Sequence, residues 1–238
     1  MAPSRLLVPV ANPETADRLM DTAADIALDR DLGVLVLTVV EVPRQLPLSA
    51  AREQLDTSQS ERVLEHAVDR AVERGVGVTG QIRFGRDVAR SICTVAASES
   101  IEALLLGWRQ RPVDGISFWE VTSTRLLTTA PSDVIVKRID RESAAIESVL
   151  VPIAGGPNTE YAAGIAGSIA RARNADVELL SIVDSESALS TGRELLETST
   201  PAVGPVRSVT ETVLVRPGRE HDSPPIWSAR SDHSRGRW

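Results

Sequence analysis

Leu6-Leu7-Val8-Pro9-Val10-Ala11 returns later in the chain as Val149-Leu150-Val151-Pro152-Ile153-Ala154. A short apolar run that ends in turn residues suits a strand buried on both faces. Its return organises everything that follows. Ile26-Ala27 matches Ile169-Ala170, and Val39-Val40 matches Ile182-Val183, in the same register. Arg52-Glu53-Gln54-Leu55-Asp56-Thr57-Ser58 has its echo in Arg193-Glu194-Leu195-Leu196-Glu197-Thr198-Ser199. Ile82-Arg83-Phe84-Gly85-Arg86-Asp87 has its echo in Val215-Arg216-Pro217-Gly218-Arg219-Glu220. The period is too long for a solenoid, so the chain reads as a domain duplication.

The first copy alternates strand and helix signals. Asn12-Pro13-Glu14-Thr15 is helix-start chemistry, and Leu19, Ala23, Ile26 and Ala27 follow at helical spacing. Leu32 to Val42 is rich in β-branched residues and reads as a second strand. Arg62 to Arg74 carries a helical stripe that Gly75 ends. A strand over Val76 to Arg83, a helix capped by Asp87, and a strand over Ile101 to Leu106 come next. A short helix over Thr122 to Thr129 and a fifth strand at Val134-Ile135-Val136 complete the unit. The expected fold is α/β: a parallel five-stranded sheet with helices on both faces, Rossmann-like, followed by a partial repeat. The expected boundaries are a complete unit over 1–140, a shortened unit over 141–220 and a disordered tail over 221–238. The tail begins at His221-Asp222-Ser223-Pro224-Pro225 and shows no apolar period, which suggests a truncated or frameshifted gene.

Composition excludes several function classes. Hydrophobic residues at 42% and charged residues at 25% match a globular chain rather than a fibre or a disordered segment. The formal charge of −7 disfavours binding nucleic acid through phosphate neutralisation. No apolar run approaches the ~20 residues that span a bilayer, and no leader pattern precedes Leu6. The single cysteine, Cys93, cannot close an internal disulfide and reads as a buried packing residue, consistent with a cytoplasmic setting.

Motifs for catalysis are missing. Gly75-Val76-Gly77-Val78-Thr79-Gly80 has dinucleotide-fingerprint spacing, but it follows a helix and enters a strand, the reverse of what phosphate binding needs. With one Cys and three His there is no zinc set. His66 reads as a lone surface residue. Asp21 and Asp25, one helical turn apart, read as a solvated face. No nucleophile–base–acid set is present, so the chain is not expected to be an enzyme.

In such a sheet, ligands bind beyond the carboxyl ends of the strands. The loops of interest are therefore Ala11 to Glu14, Glu41 to Arg44 and Trp108 to Val121. Leu-Leu-Val-Pro-Val at Leu6 to Val10 and a Gly-containing loop after the fourth strand are two of three telling blocks. The third is a short helix into Ala130-Pro131 and the fifth strand. Together these blocks resemble the universal stress protein family over Arg5 to Arg138, and partly over Ser148 to Glu220.

The resemblance implies a nucleotide pocket on Val10, Ala11, Val40, Gly107, Arg109, Gln110, Arg111, Val121 and Thr122. ATP-binding members of the family carry a glycine-rich loop here and an aspartate after the first strand. In this chain Gly107 is the matching glycine. Gln110 and Glu120 replace the others, Val121 replaces the hydroxyl residue, and Ala11 and Ala154 replace the aspartate. These departures imply weak or absent ATP binding, with Arg109 and Arg111 as residual anion contacts. The resemblance further implies pairing through fifth strands, hence a homodimer through Asp133 to Lys137. It also allows a weak ATPase, or a cytosolic accessory of a membrane transporter.

Overall fold

A computed structural model describes residues 4–108, 118–139 and 145–216. The tail expected over 221–238 lies outside them. The first copy runs β1 (Arg5–Pro9), α1 (Pro13–Arg30), β2 (Gly33–Glu41), α2 (Ala51–Gln54), α3 (Ser58–Glu73) and β3 (Val78–Gly85). It continues with α4 (Val88–Ser98), β4 (Ile101–Trp108), α5 (Phe118–Thr129) and β5 (Asp133–Arg138). The second copy runs β6 (Ser148–Pro152), α6 (Thr159–Arg173), β7 (Asp176–Val183), α7 (Leu189–Val203) and β8 (Val209–Val215).

The first five strands form one parallel sheet in the order β3-β2-β1-β4-β5. Alternate side chains of one strand serve opposite faces. Leu6 and Val8 pack with Val34, Val36 and Leu105 beneath α1 and α3. Leu7 packs with Leu35, Leu37, Leu104 and Leu106 beneath α4 and α5, through Ile92, Val95 and Leu126. Burying each such aliphatic side chain contributes about 1.5–3 kcal/mol. That explains why the strands read as unbroken apolar runs. Cys93 is half-buried at the margin of the second cluster rather than within it. Its Sγ lies 3.6 Å from the Thr129 hydroxyl, because the Cys93 position turns toward the α4–α5 contact.

Local signals set the helix ends. The Asn12 side chain accepts from the Thr15 N–H at 2.9 Å, and Pro13 sits in the first turn, where no partner for its nitrogen is needed. The Asp87 side chain accepts from the Arg90 N–H at 3.0 Å and starts α4. Gly75, at φ +76°, follows α3 and turns the chain toward β3. The glycine-rich fingerprint is thus a helix stop.

The second copy repeats the first. Strands β6, β7 and β8 pair in parallel, in the order that β1, β2 and β3 follow. Asp31 and Asn174 end α1 and α6 in the same left-handed conformation, φ 54° and 52°. One face of this sheet packs Val151, Val177 and Leu179 against α6 and α7. The other carries Leu150, Ile182 and Leu214, which are about half exposed. In the first copy the equivalent face lies beneath α4.

Helix α6 packs across α1. Asp25 corrects the sequence reading of a solvated acidic face: its side chain is 2% exposed. It accepts from Arg74 Nη2 at 2.8 Å and from Arg173 Nε at 2.7 Å. Asp21, one turn away, accepts from Arg70 and Arg74 at 3.1 and 3.3 Å. Polar periodicity marked this face, but the arginines that cover it come from α3 and from the second copy. His66 is likewise not alone, with its ring 2.8 Å from Asp17. Farther along, Arg171 grips Asp29 through both carboxylate oxygens at 2.6 and 2.8 Å. Those bonds hold the Asp29 carboxyl below its ordinary range. Arg30 reaches back to Ser168 at 3.3 Å and stacks 5.3 Å from the Tyr161 ring centre.

Candidate functional site

The expected site lies beyond the carboxyl ends of β1 and β4, where neighbouring strands send their connections to opposite faces. Val10 directly follows β1 and is buried, its N–H donating to Leu37 O at 2.9 Å. Ala11 is exposed, and Asn12 uses its side chain to cap α1. Val40 sits near the end of β2 opposite Phe84, half-buried. Gly107 lies in β4 opposite Lys137. Thr122 is buried in α5, and Val121 lies on the same helix. Arg109, Gln110 and Arg111 fall outside the described residues.

Gly107 explains the character of this end of the sheet. A β-carbon placed there would meet Ile139 Cδ1 at 3.1 Å, Thr15 Cγ2 at 3.4 Å and Leu19 Cδ1 at 3.5 Å. The missing β-carbon leaves room for this packing. What approaches is the aliphatic core beneath α1, while the loop from Arg109 on lies outside the described residues. Ile139 is buried and its N–H donates to Trp108 O at 2.9 Å, which fixes it over the strand. Sequence reasoning placed Thr15 and Leu19 on the first helix without tying them to Gly107, and it did not single out Ile139. Thr15 and Leu19 are at helical spacing, but Ile139 follows β5, and no local pattern ties it to Gly107.

Lys137 is the one lysine of the chain and anchors the underside of this region. Its Nζ donates to the Arg18 carbonyl and to Thr22 Oγ1 on α1, the latter at 2.7 Å. Burial pushes its pKa down, opposed by the nearby Asp21 and Asp25 carboxylates. The ammonium therefore serves α1 and does not point to a phosphate. Among the described residues no group of three His, Cys, Asp or Glu could hold a metal.

The corresponding place in the second copy is a cleft of ≈ 240 Å³ beside Gly155 and Gly156, at the start of α6. Glu160 and Glu194 line it. Carboxylates there oppose the attraction that a helix start has for an anion.

The universal stress protein family model matches residues 3–138. The chain belongs to the universal stress protein family. A Na(+)/H(+) antiporter, NhaS5 of Synechocystis sp., is 25% identical over 149 residues, covering 62% of this chain. The chain spans only 21% of that antiporter's length. A universal stress protein from Archaeoglobus fulgidus superposes with a TM-score of 0.62 at 14% identity, over 92% of this chain and 80% of its own. The cytoplasmic domain of a prokaryotic cation chloride cotransporter superposes with a TM-score of 0.60 at 16% identity, over 90% of this chain and 79% of its own. These superpositions show the shared fold. They extend over both copies, while the family model marks the first. No helix among the described residues is long and apolar enough to cross a membrane.

Proposed function

We propose that this universal-stress-type chain is a cytoplasmic regulatory module that acts by binding, without chemistry of its own. The observation that carries the reading is Gln110 and Glu120 standing where ATP-binding members of the family carry glycine. A phosphate cradle needs convergent backbone donors and room for the anion. A side chain and a carboxylate in place of those glycines favour weak ATP binding or none. Ala11, where intact members carry an aspartate, supports the same conclusion. Mass spectrometry of small molecules released from freshly purified protein tests this reading. No adenine nucleotide should appear, and a stoichiometric one would favour the alternative of an ATP-binding stress protein with weak ATPase activity.

A second reading has an observation of its own. The antiporter relative supports a role as a cytosolic regulatory accessory of a membrane transporter. Crosslinking in cells followed by mass spectrometry should then recover a transporter. Recovery of soluble proteins alone would count against it.

A further inference from the structure

The two copies share a strand plan but not a cover. Alternation along β6, β7 and β8 sends Val149, Val151, Val177, Leu179 and Val213 toward α6 and α7. Leu150, Glu178, Leu180, Ile182, Thr212 and Leu214 therefore lie on the opposite face. Strand pairing joins them into one surface: Leu150 lies opposite Glu178, Leu180 opposite Thr212 and Ile182 opposite Leu214. Among the described residues no helix packs over it, and Leu150, Ile182 and Leu214 are 53%, 56% and 49% exposed. A contiguous exposed apolar patch of this kind marks an interaction site.

The first copy shows what such a face packs against. Carried back through the repeat, Leu150, Glu178, Leu180 and Ile182 fall on Leu7, Leu35, Leu37 and Val39. Leu7 and Leu37 are fully buried there, in one cluster with Val88, Ile92 and Val95 of α4. A sheet face of aliphatic side chains is stable when such a helix seals it. The second copy keeps the aliphatic residues and differs at one point: Glu178 stands where the first copy has Leu35.

Glu178 decides among the occupants. It accepts from Thr212 Oγ1 at 3.4 Å and, among the described residues, makes no ion pair. Asp176, next along the same face, is already held by Arg207 and Ser208. Covering Glu178 with apolar surface alone would bury its charge uncompensated. A second copy stacked on this face would bring the same carboxylates to it, and like charges would meet. An amphipathic helix with one lysine or arginine set in its apolar stripe meets both demands. Its aliphatic residues contact Leu150, Leu180, Ile182 and Leu214, and its cation pairs with Glu178. We propose that the open face of β6-β7-β8 docks such a helix from a partner protein, in the place that α4 takes in the first copy.

The proposal goes beyond the regulatory reading above and is indifferent to ATP binding at Gly107. Its test is fluorescence anisotropy of the full chain with a labelled helical peptide. The aliphatic residues of the peptide repeat the spacing of Val88, Ile92 and Val95, with one lysine among them. A twin peptide carries glutamate in place of that lysine. The lysine peptide should bind, and the twin should bind about tenfold or more weakly. Glu178→Lys should reverse the preference, a result that a misfolded variant would not give. Leu150→Ser with Ile182→Ser should weaken the lysine peptide about tenfold or more, through lost apolar contact. Arg193→Glu, on the exposed surface of α7, should leave it unchanged. Circular dichroism should show all variants folded, since the substituted side chains lie outside the α6–α7 core. No binding of either peptide, equal binding of both, or a preference that Glu178→Lys leaves in place would overturn the proposal. A dimer in sedimentation that Ile182→Arg dissociates would give the face to a second copy and overturn it as well.

Discussion

Asp25 on α1 accepts a hydrogen bond from Arg173 Nε on α6 at 2.7 Å, so a buried carboxylate of the first copy is covered by an arginine of the second. The same carboxylate holds Arg74 of the first copy at 2.8 Å. One residue thus ties together α3, α1 and α6. Removing one partner of a buried pair leaves the others uncompensated, which is costlier than never having buried them.

Asp25→Ala should therefore destabilise the chain by about 3 kcal/mol, the low end for a broken buried pair, since both arginines keep contact with water. Urea unfolding of the two proteins measures the difference. A loss below about 1 kcal/mol, typical of exposed pairs, would mean that the junction is not buried in solution.

Acid should weaken the junction in a defined window. The hydrogen bonds from Arg171 lower the Asp29 pKa from its ordinary 3.8. A carboxyl with a depressed folded pKa binds fewer protons folded than unfolded. Its contribution is complete above the ordinary value and lost as pH falls through the folded one. The stability gap between the natural chain and Asp29→Asn should be constant from neutral pH down to about pH 5 and close below about pH 4. Urea midpoints across that range test it. A gap that stays constant in acid would contradict the assignment.

Gly167 on α6 allows helix α7 to approach: a β-carbon there would lie 2.0 Å from the Val203 carbonyl oxygen. Backbone cannot yield as a flexible side chain does. Gly167→Ala should cost about 1–3 kcal/mol, the usual range for overpacking. Hydrogen exchange should quicken in β7 and β8 before β1. Unchanged protection in those strands would show that the helices do not cross as described.

Strand β5 lies at the edge of the larger sheet, and Val136 is 42% exposed on it. An open edge is a template for a second strand. Pairing of Asp133 to Lys137 with its equivalent would give a two-fold dimer. Sedimentation at micromolar concentration should show that dimer, and Ile135→Pro should dissociate it by removing a ladder donor. A monomer before any mutation would refute the pairing.

The sequence carries the elements more clearly than the relations between them. Asn12, Asp87 and Gly75 do their work within a few residues, so cap and stop rules placed α1, α4 and the end of α3. Apolar strands and the repeat carried the parallel sheet and its partial return, but not the order β3-β2-β1-β4-β5. Asp25 was misread because its partners, Arg74 and Arg173, are remote in sequence, and helical spacing shows only that a face is polar. Ile139 escaped notice for the same reason. Its closeness to Gly107 depends on β4 and β5 being neighbours. Arg109 and Arg111, the expected anion contacts, and Gln110, which replaces a glycine, lie outside the described residues.

The measurement that tests the central claim most directly is isothermal titration of the purified chain with Mg-ATP. Gln110 and Glu120 replace two glycines of the ATP-binding members, and Ala11 offers no carboxylate after β1. Each 1.4 kcal/mol lost weakens binding about tenfold. The account predicts no saturable heat at micromolar protein and ligand. Saturable binding with a micromolar Kd would contradict it and establish the chain as a nucleotide-binding stress protein.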